Sequence, residues 1–224
     1  MRTFNQTQNN YDRLSRLYDL IEGWGEKSIC VDAIRLMNIQ SGENILEVGS
    51  GTGTNLLRIS NIVKNCEIVG LDLSNKMCQQ AKIKTKRIKD SPVGVVNGNA
   101  IHLPFPKNHF DVLLMLFTLE IIPEKYIFLA LSECSRVLKP NGRICVGAMS
   151  AEKMNHLMMR LYQWSIHHFP EVVDCQPIDL VSIMGNAGFE PSVNQFQFLW
   201  GLPVRILLAN KSSRNEDEDT HFSN

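Results

Sequence analysis

The residues best placed to do chemistry form a glycine cluster that follows a carboxylate, Glu47-Val48-Gly49-Ser50-Gly51-Thr52-Gly53. A second carboxylate, Asp72, stands further along the chain. Glycines at a turn let the backbone bend sharply and approach a ligand. An aspartate at the end of the next strand can accept hydrogen bonds from both hydroxyls of a ribose. Together they predict a site for a ribose-containing ligand; the alternatives are a plain tight turn and an aspartate that only leads into a helix.

Three details of the sequence separate the ligands that such a loop can serve. A dinucleotide fingerprint G-x-G-x-x-G would need glycine at position 54, which is Thr54. Glu47 suits the cationic end of a ligand, such as an amino-acid ammonium, and repels a pyrophosphate. The sequence has no G-x-x-x-x-G-K-S/T motif, which excludes a nucleoside triphosphate loop. Of the ligands that such a loop could serve, which are NAD, FAD, a nucleotide and S-adenosylmethionine, these details disfavour the nicotinamide of an oxidoreductase.

Alternating strands and helices must position these residues. Strand signals cover residues 44–48, 67–71, 93–96, 110–117, 143–148, 192–198 and 204–209. Helix signals cover residues 54–64, 75–89, 123–138, 151–169 and 180–187, with Ser74 as an N-cap and a turn at 139–142. This alternation predicts an α/β fold with a doubly wound, mainly parallel seven-stranded sheet. The amphipathic stretch 11–34 precedes the first strand, so we expect an N-terminal helical cover over the sheet.

Composition narrows the class of protein. The chain has 224 residues, of which 44% are hydrophobic and 21% charged, and its formal net charge is +0. That balance lacks the signature of a nucleic-acid binder, so we expect no nucleic-acid partner. The six cysteines form no C-x-x-C pair and are predicted to be reduced, buried thiols in a cytoplasmic protein, with no metal site. The longest apolar run, 112–122, is too short for a bilayer, which takes about 20 residues; peripheral membrane contact stays open.

Several segments together resemble one superfamily: YDRLSRLYDLIEGWGEK, ILEVGSGTG, GLDLS, NGNAIHLPF, HFDVLLMLFTLE and ECSRVLKPNGRICV. They resemble class I S-adenosylmethionine-dependent methyltransferases, and most closely the ubiquinone/menaquinone C-methyltransferase-like branch. The resemblance implies a Rossmann-like class I methyltransferase fold, S-adenosyl-L-methionine as cofactor, and a small, lipophilic or quinone-like methyl acceptor. We expect a single methyltransferase domain over residues 1–210, with a helical cover (1–40), a helical substrate-pocket insertion (150–188) and a disordered tail (211–224).

The same resemblance implies which residues bind the cofactor: Glu47, Gly49, Ser50, Gly51, Gly53, Asp72, Leu73, Asn99, Ala100, Leu116 and Tyr18. By this resemblance, Glu47 orders the loop, Asp72 binds the ribose diol and Leu73 packs against adenine. Position 99 departs from the family pattern, which usually has aspartate. The Asn99 carbonyl can still accept from the adenine amine, without charge, so we expect weaker cofactor binding.

The candidate substrate-pocket residues are Tyr11, Glu120, Tyr162 and His168. Tyr11 and Tyr18 share one face if their segment is helical, and either close over the cofactor or only pack the cover. Glu120 either orients the acceptor or is a solvated carboxylate at a helix entry. His168 is either a general base or a packing residue. No catalytic residue is assigned.

Two other functions stay open at this point. An O- or N-methyltransferase of another metabolite would keep the fold. A non-catalytic S-adenosylmethionine-binding regulatory protein would lack an acceptor, and Asn99 and the missing base are its support. Residues 118–121 read TLEI rather than N-P-P-Y/F or D-P-P-Y/F, which argues against amino-directed DNA methylation. The oligomeric state is open.

Overall fold

A seven-stranded sheet forms the centre of the protein in a computed structural model, which describes residues 26–86, 88, 91–154, 160 and 176–212. The strands are β1 (Asn44–Val48), β2 (Glu67–Asp72), β3 (Val93–Asn97), β4 (Phe110–Leu116), β5 (Leu138–Met149), β6 (Phe189–Leu199) and β7 (Leu202–Lys211). The described helices are α1 (Lys27–Leu36), α2 (Thr54–Ile62), α3 (Asn75–Thr85), α4 (Ile127–Val137) and α5 (Leu180–Asn186). Two short 3₁₀ turns, Leu119–Ile121 and Glu124–Tyr126, lie between β4 and α4.

The strand order is β3-β2-β1-β4-β5-β7-β6. The pairings among β1 to β5 are parallel, whereas β7 runs antiparallel to both β5 and β6. The prediction of a mainly parallel sheet is therefore confirmed, with an antiparallel hairpin at one edge. The chain winds outward from β1 to β3 and then in the other direction from β4. Such a reversal leaves a crevice at the carboxyl ends of the strands, which is where open α/β sheets bind ligands.

Helices cover both faces of the sheet with apolar side chains. Ile29 of α1 and Ile59 of α2 are buried on one face. Leu131 of α4 and Met184 of α5 are buried on the other. All of β4 except Asp111 is buried, which explains its near-continuous apolar sequence. Residues 1–25 lie outside the described residues, so the N-terminal cover beyond α1 stays a prediction.

The structure differs from the sequence prediction at two boundaries around α4. The helix expected from Pro123 begins at Ile127, because Pro123 has an extended backbone and a 3₁₀ turn intervenes. The turn expected at residues 139–142 lies inside β5. The pairing with β4 steps there from Phe110↔Leu138 to Val112↔Arg143, so the extra residues bulge out of the ladder.

Two predictions about the segments after β5 need correction. The helix expected from residue 151 does not begin there, because residues 151–154 form a turn in which the Ser150 hydroxyl accepts a hydrogen bond from the Glu152 amide. Residues 155–159 and 161–175 lie outside the described residues. Two residues expected in the tail belong to the fold instead: Lys211 ends β7, and the hydroxyl of buried Ser212 donates to Glu190 at 2.8 Å. Residues 213–224 lie outside the described residues. Within the described residues, no helix is both long and apolar enough to cross a membrane.

Candidate ligand-binding site

A cavity opens at the carboxyl ends of β1 to β4, where the winding of the sheet reverses. It contains about 710 Å³ of space, its open mouth included. The glycine loop, the end of β2 with the start of α3, the loop 98–100 and the segment after β4 form its walls. The topology thus brings four chain segments that are distant in sequence to one place.

The glycine loop has a backbone that side chains would not permit. Gly49, Gly51 and Gly53 all have positive φ, at 78°, 51° and 80°. The amides of Gly49 and Ser50 both donate to the carbonyl of Leu71, at 2.7 and 3.0 Å, which fixes the loop to the end of β2. A Cβ at Gly49 would lie 2.6 Å from the Thr118 methyl group. The backbone of the loop can therefore pack this closely against Thr118 only because residue 49 has no side chain.

Gly53 has a different position from the other two glycines. It is the N-cap of α2 and does not line the cavity. A Cβ at this position would lie 2.9 Å from the Cβ of Ala81 in α3. The structure therefore gives Gly53 a packing contact between two helices, and its role in cofactor binding stays a prediction.

Asp72 ends β2 and lines the cavity. Its Oδ2 accepts a hydrogen bond from the Gly51 amide at 2.8 Å, and its Oδ1 accepts one from the Ser74 amide at 2.8 Å. Ser74 in turn caps α3, as predicted, by accepting from the Met77 amide at 3.1 Å. One carboxylate thus orders the loop and the helix entry at the cavity wall.

The loop after β3 forms the wall next to Asp72. Asn99 and Ala100 line the cavity together with Gly98. The Asn99 Oδ1 accepts a hydrogen bond from the Ile101 amide at 3.2 Å. This oxygen, which the family resemblance places against an adenine amine, already holds its own loop, although a carbonyl oxygen has a second lone pair.

An ion pair on α4 holds that loop in place. Glu133 accepts the Leu103 amide at 2.7 Å and the Arg136 Nε at 2.6 Å. Arg136 donates to the carbonyls of Leu103 and Phe105 at 2.9 and 2.8 Å. The Arg136 guanidinium, ahead of the Leu103 amide, holds the pKa of the Glu133 carboxyl below its ordinary value. Sequence reasoning missed this clamp, because its partners come together only when α4 packs beside the loop.

Glu133→Gln is expected to lower the free energy of unfolding by about 1–2 kcal/mol at neutral pH, because hydrogen bonds to a charged carboxylate are lost. A lowered pKa in the folded state means that the carboxylate stabilises the fold above its ordinary pKa of 4.5. That contribution disappears as pH falls through the lowered value. Urea unfolding at neutral pH and below pH 4.5 should therefore show a difference that shrinks on acidification. Glu124→Gln, on an exposed turn, is the control, and an equal loss in both variants would refute the clamp.

A smaller recess lies behind the glycine loop, lined in part by Cys30, Glu47, Ser50 and Phe117. Glu47 is 2% exposed, and its Oε1 accepts the Asn55 amide group at 3.0 Å. Buried carboxylates favour a positively charged or hydrogen-bonding neighbour. The recess is therefore suited to a cationic group. Asn55 was not singled out from the sequence, although its place in the first turn of α2 brings it back toward Glu47.

The segment after β4 joins the two cavities. Leu116 and Phe117 line both of them, and Phe117 has an unusual positive φ of 51°. Glu120 lines neither. It is buried, and its Oε1 accepts the Met149 amide at 3.2 Å, so it ties the 3₁₀ turn to the end of β5. The alternative of a solvated carboxylate at position 120 is wrong because the side chain is buried.

Leu73 also lines the main cavity. Tyr11, Tyr18, Tyr162 and His168 lie outside the described residues, so their contacts with either cavity stay predictions. The described residues contain no group of three or more His, Cys, Asp or Glu that could hold a metal ion. Five cysteines are described, all buried and without a disulfide. Burial raises the pKa of Cys78 to about 11 and of Cys134 to about 12, which keeps these thiols protonated.

Sequence comparison relates the same part of the chain to a known family. Residues 45–142 match the family model described as a methyltransferase domain. A curated relative, the demethylmenaquinone methyltransferase of Oceanobacillus iheyensis, is 33% identical over 138 residues, which cover 61% of this chain and 57% of that protein. The chain thus spans less than two thirds of the length of the relative that it matches.

Structural comparison identifies the fold. A SAM-dependent methyltransferase from Methanosarcina mazei matches with a TM-score of 0.66 and 18% identity, over 78% of this chain and 94% of that one. The (4+2)-cyclase SpnF matches with a TM-score of 0.74 and 18% identity, over 94% of this chain and 97% of that one. At these identities the likeness shows the fold alone. The pair of neighbours also shows that one fold serves more than one reaction.

Proposed function

We propose that this chain, whose residues 45–142 match the model of a methyltransferase domain, transfers the methyl group of S-adenosylmethionine to a small, lipophilic, quinone-like acceptor. The observation that supports the proposal most is the cavity at the reversal of the sheet, where the Asp72 carboxylate is fixed beside the positive-φ glycine loop. The acceptor class comes from the name of the Oceanobacillus iheyensis relative, a demethylmenaquinone methyltransferase.

The residues present fit an adenosyl sulfonium. Asp72 would accept hydrogen bonds from the ribose hydroxyls, because its carboxylate lies at the cavity wall and a carboxylate can accept about four hydrogen bonds. Leu73 and Ala100, which both line the cavity, would pack against adenine. The buried Glu47 would face the ammonium of the methionine end, behind the glycine loop. This donor set favours a positively charged ligand with a diol and disfavours a pyrophosphate.

When bound, S-adenosylmethionine supplies an electrophilic methyl group on a positively charged sulfur. The protein must align the acceptor and exclude water. Alignment of this kind can account for about 7–11 kcal/mol of an activation barrier. Met77, Ile121 and Ile122 give the cavity an apolar lining, and a dry lining favours a step in which an anion and a cation neutralise each other.

The described cavity wall also bears on whether the protein could remove a proton from the acceptor. Among the described residues that line it, Asp72 is the ionisable one, and it holds two backbone amides. The described part of the wall offers no other ionisable side chain as a general base, and His168, the candidate base from the sequence, lies outside the described residues. A base is needed only where the acceptor has not already lost its proton.

We expect S-adenosylmethionine and S-adenosylhomocysteine to stabilise the protein and NAD to leave it unchanged. A ligand at 100 times its Kd raises the free energy of unfolding by about 2.7 kcal/mol, which a thermal shift detects. With methyl-labelled S-adenosylmethionine and a short-chain demethylated naphthoquinol, label should pass into the organic phase. A catechol and a primary amine serve as comparison acceptors for O- and N-transfer.

Two results would contradict this proposal in different ways. Stabilisation by NAD alone would refute the cofactor. Tight binding of S-adenosylhomocysteine with no label in any acceptor would refute the transfer and favour a cofactor-binding regulatory protein.

A further inference from the structure

The turn between β6 and β7 carries two large apolar side chains that the fold does not bury. Phe198 is 59% exposed and Trp200 is 66% exposed. Leu199 pairs with Leu202, so Trp200 and Gly201 are the two central residues of a tight hairpin. Leu199 itself is buried on the α1 face of the sheet, and the aromatic side chains are left outside that core.

The backbone at this turn is a poor place for a tryptophan. Trp200 and Gly201 both have positive φ, at 50° and 84°, the pattern of a type I′ turn. The first central position of such a turn favours asparagine, aspartate or glycine, and a bulky residue there is an outlier. Because Trp200 is largely exposed, burial of its side chain does little to offset this backbone cost. A residue that breaks a local rule without a gain in packing points to a role outside the fold.

The turn lies at the same end of the sheet as the cavity, which is where the parallel strands have their carboxyl ends. Because β7 is antiparallel to β5, its first residues pair with the last residues of β5, as Val204 does with Met149. The Ser150 amide also donates to the Pro203 carbonyl at 2.9 Å. Since β1, β4 and β5 are parallel, the hairpin projects from the end of the sheet at which the glycine loop lies.

We propose that this hairpin, residues 198–202, docks on the surface of a lipid membrane that contains anionic lipid. Tryptophan and phenylalanine have an amphipathic or apolar body suited to the membrane–water interface. The choice of lipid rests in part on the proposed lipophilic acceptor, which such docking would bring to the cavity edge.

The charge and the size of the patch support a membrane over a protein partner. Lys153 and Arg205 lie over the ring of Phe196, at 4.2 and 4.3 Å from its centroid. Phe196 stands two residues before Phe198 in β6. Glu152 accepts a hydrogen bond from Arg205, whereas Lys153 is exposed and can meet a lipid phosphate. Two aromatic side chains offer about 150–250 Å² each, which is well below the roughly 800 Å² per partner of a stable protein interface.

Vesicle sedimentation of the full chain tests this proposal. The vesicles are phosphatidylcholine with and without phosphatidylglycerol, and neither cofactor nor acceptor is present. The wild-type chain should sediment with the anionic vesicles, and Trp200→Asn and Phe198→Thr should each weaken that binding by about tenfold, since apolar area at the interface is lost. Ile83→Gln removes an apolar side chain that is 70% exposed on α3, away from the hairpin, and should bind as the wild type does.

Trp200→Asn keeps the test independent of misfolding. Asn-Gly is a preferred sequence for a type I′ turn, so the variant should melt at the same or a higher temperature while it loses vesicle binding. Absence of wild-type sedimentation, or equal sedimentation of all four proteins, would overturn the proposal. Self-association that Trp200→Asn abolishes, without vesicle binding, would assign the hairpin to a protein interface instead. None of these results depends on methyl transfer, so the two proposals fail separately.

Discussion

Asp72→Asn is expected to weaken the binding of S-adenosylhomocysteine by at least about hundredfold, or about 2.7 kcal/mol. Two effects add. The asparagine would present an amide group to one of the two backbone donors, Gly51 or Ser74, that the carboxylate now accepts. An opposed or unsatisfied buried donor costs about 1–3 kcal/mol. The ribose hydroxyls would also lose a charged acceptor, and charged acceptors make hydrogen bonds roughly twice as strong as neutral ones.

Isothermal titration calorimetry measures this loss, and Asp111→Asn is a matched control. Asp111 likewise accepts a backbone amide, from Asn44 at 2.9 Å, and pairs with Lys139 at 2.7 Å. It stands near the start of β4, at the opposite end of the strands from the cavity. Its loss should lower stability and leave the Kd unchanged. An Asp72→Asn protein that binds within about threefold of the wild type would show that the ribose does not lie against Asp72.

Gly49→Ala is expected to destabilise the fold by about 2–5 kcal/mol. An alanine held at a positive φ costs roughly 1–2 kcal/mol, and the φ here is 78°. The added Cβ would also overlap the Thr118 side chain, and overpacking of this kind costs about 1–3 kcal/mol. Because the loop must move to relieve the overlap, binding of S-adenosylhomocysteine should fall as well.

Two other glycines separate the two contributions. Gly42 has a φ of 90°, and a Cβ added there would have nothing within 4 Å, so Gly42→Ala isolates the backbone cost. Gly185, inside α5, is equally open and has no positive φ, so Gly185→Ala should be neutral or stabilising. Urea unfolding should give Gly49→Ala a much lower free energy of unfolding than Gly42→Ala. Adding Thr118→Ala to the Gly49→Ala protein should partly restore that free energy. Equal losses at positions 42 and 49 would show that Thr118 does not constrain the loop.

Local signals explain how much of the site the sequence predicts. Glycines between a strand and a helix, an aspartate at the end of the next strand, and a capping serine are all patterns within a few residues, and the structure brings Gly49, Asp72 and Asn99 to one cavity. The strand–helix alternation likewise predicts the parallel body of the sheet. These features need no knowledge of which distant segments touch.

Contacts between distant segments could not be predicted in this way. The Glu133–Leu103 clamp and the Glu120–Met149 contact each join residues about thirty positions apart. Periodicity indicates that residues 192–198 and 204–209 are strands, yet it does not give their direction or show that β7 lies between β5 and β6. Gly53 has the same local signature as Gly49, and only the packing of α2 on α3 distinguishes them.

The position of β7 has a consequence for biosynthesis. Among the described strands, β7 is translated last, and it pairs with β5 from Arg143↔Asn210 to Met149↔Val204. Until β7 leaves the ribosome, the hydrogen-bonding groups along one side of β5 have no partner strand. Such edges recruit other chains, so the interval before β7 emerges is the one in which a newly made molecule most needs a chaperone.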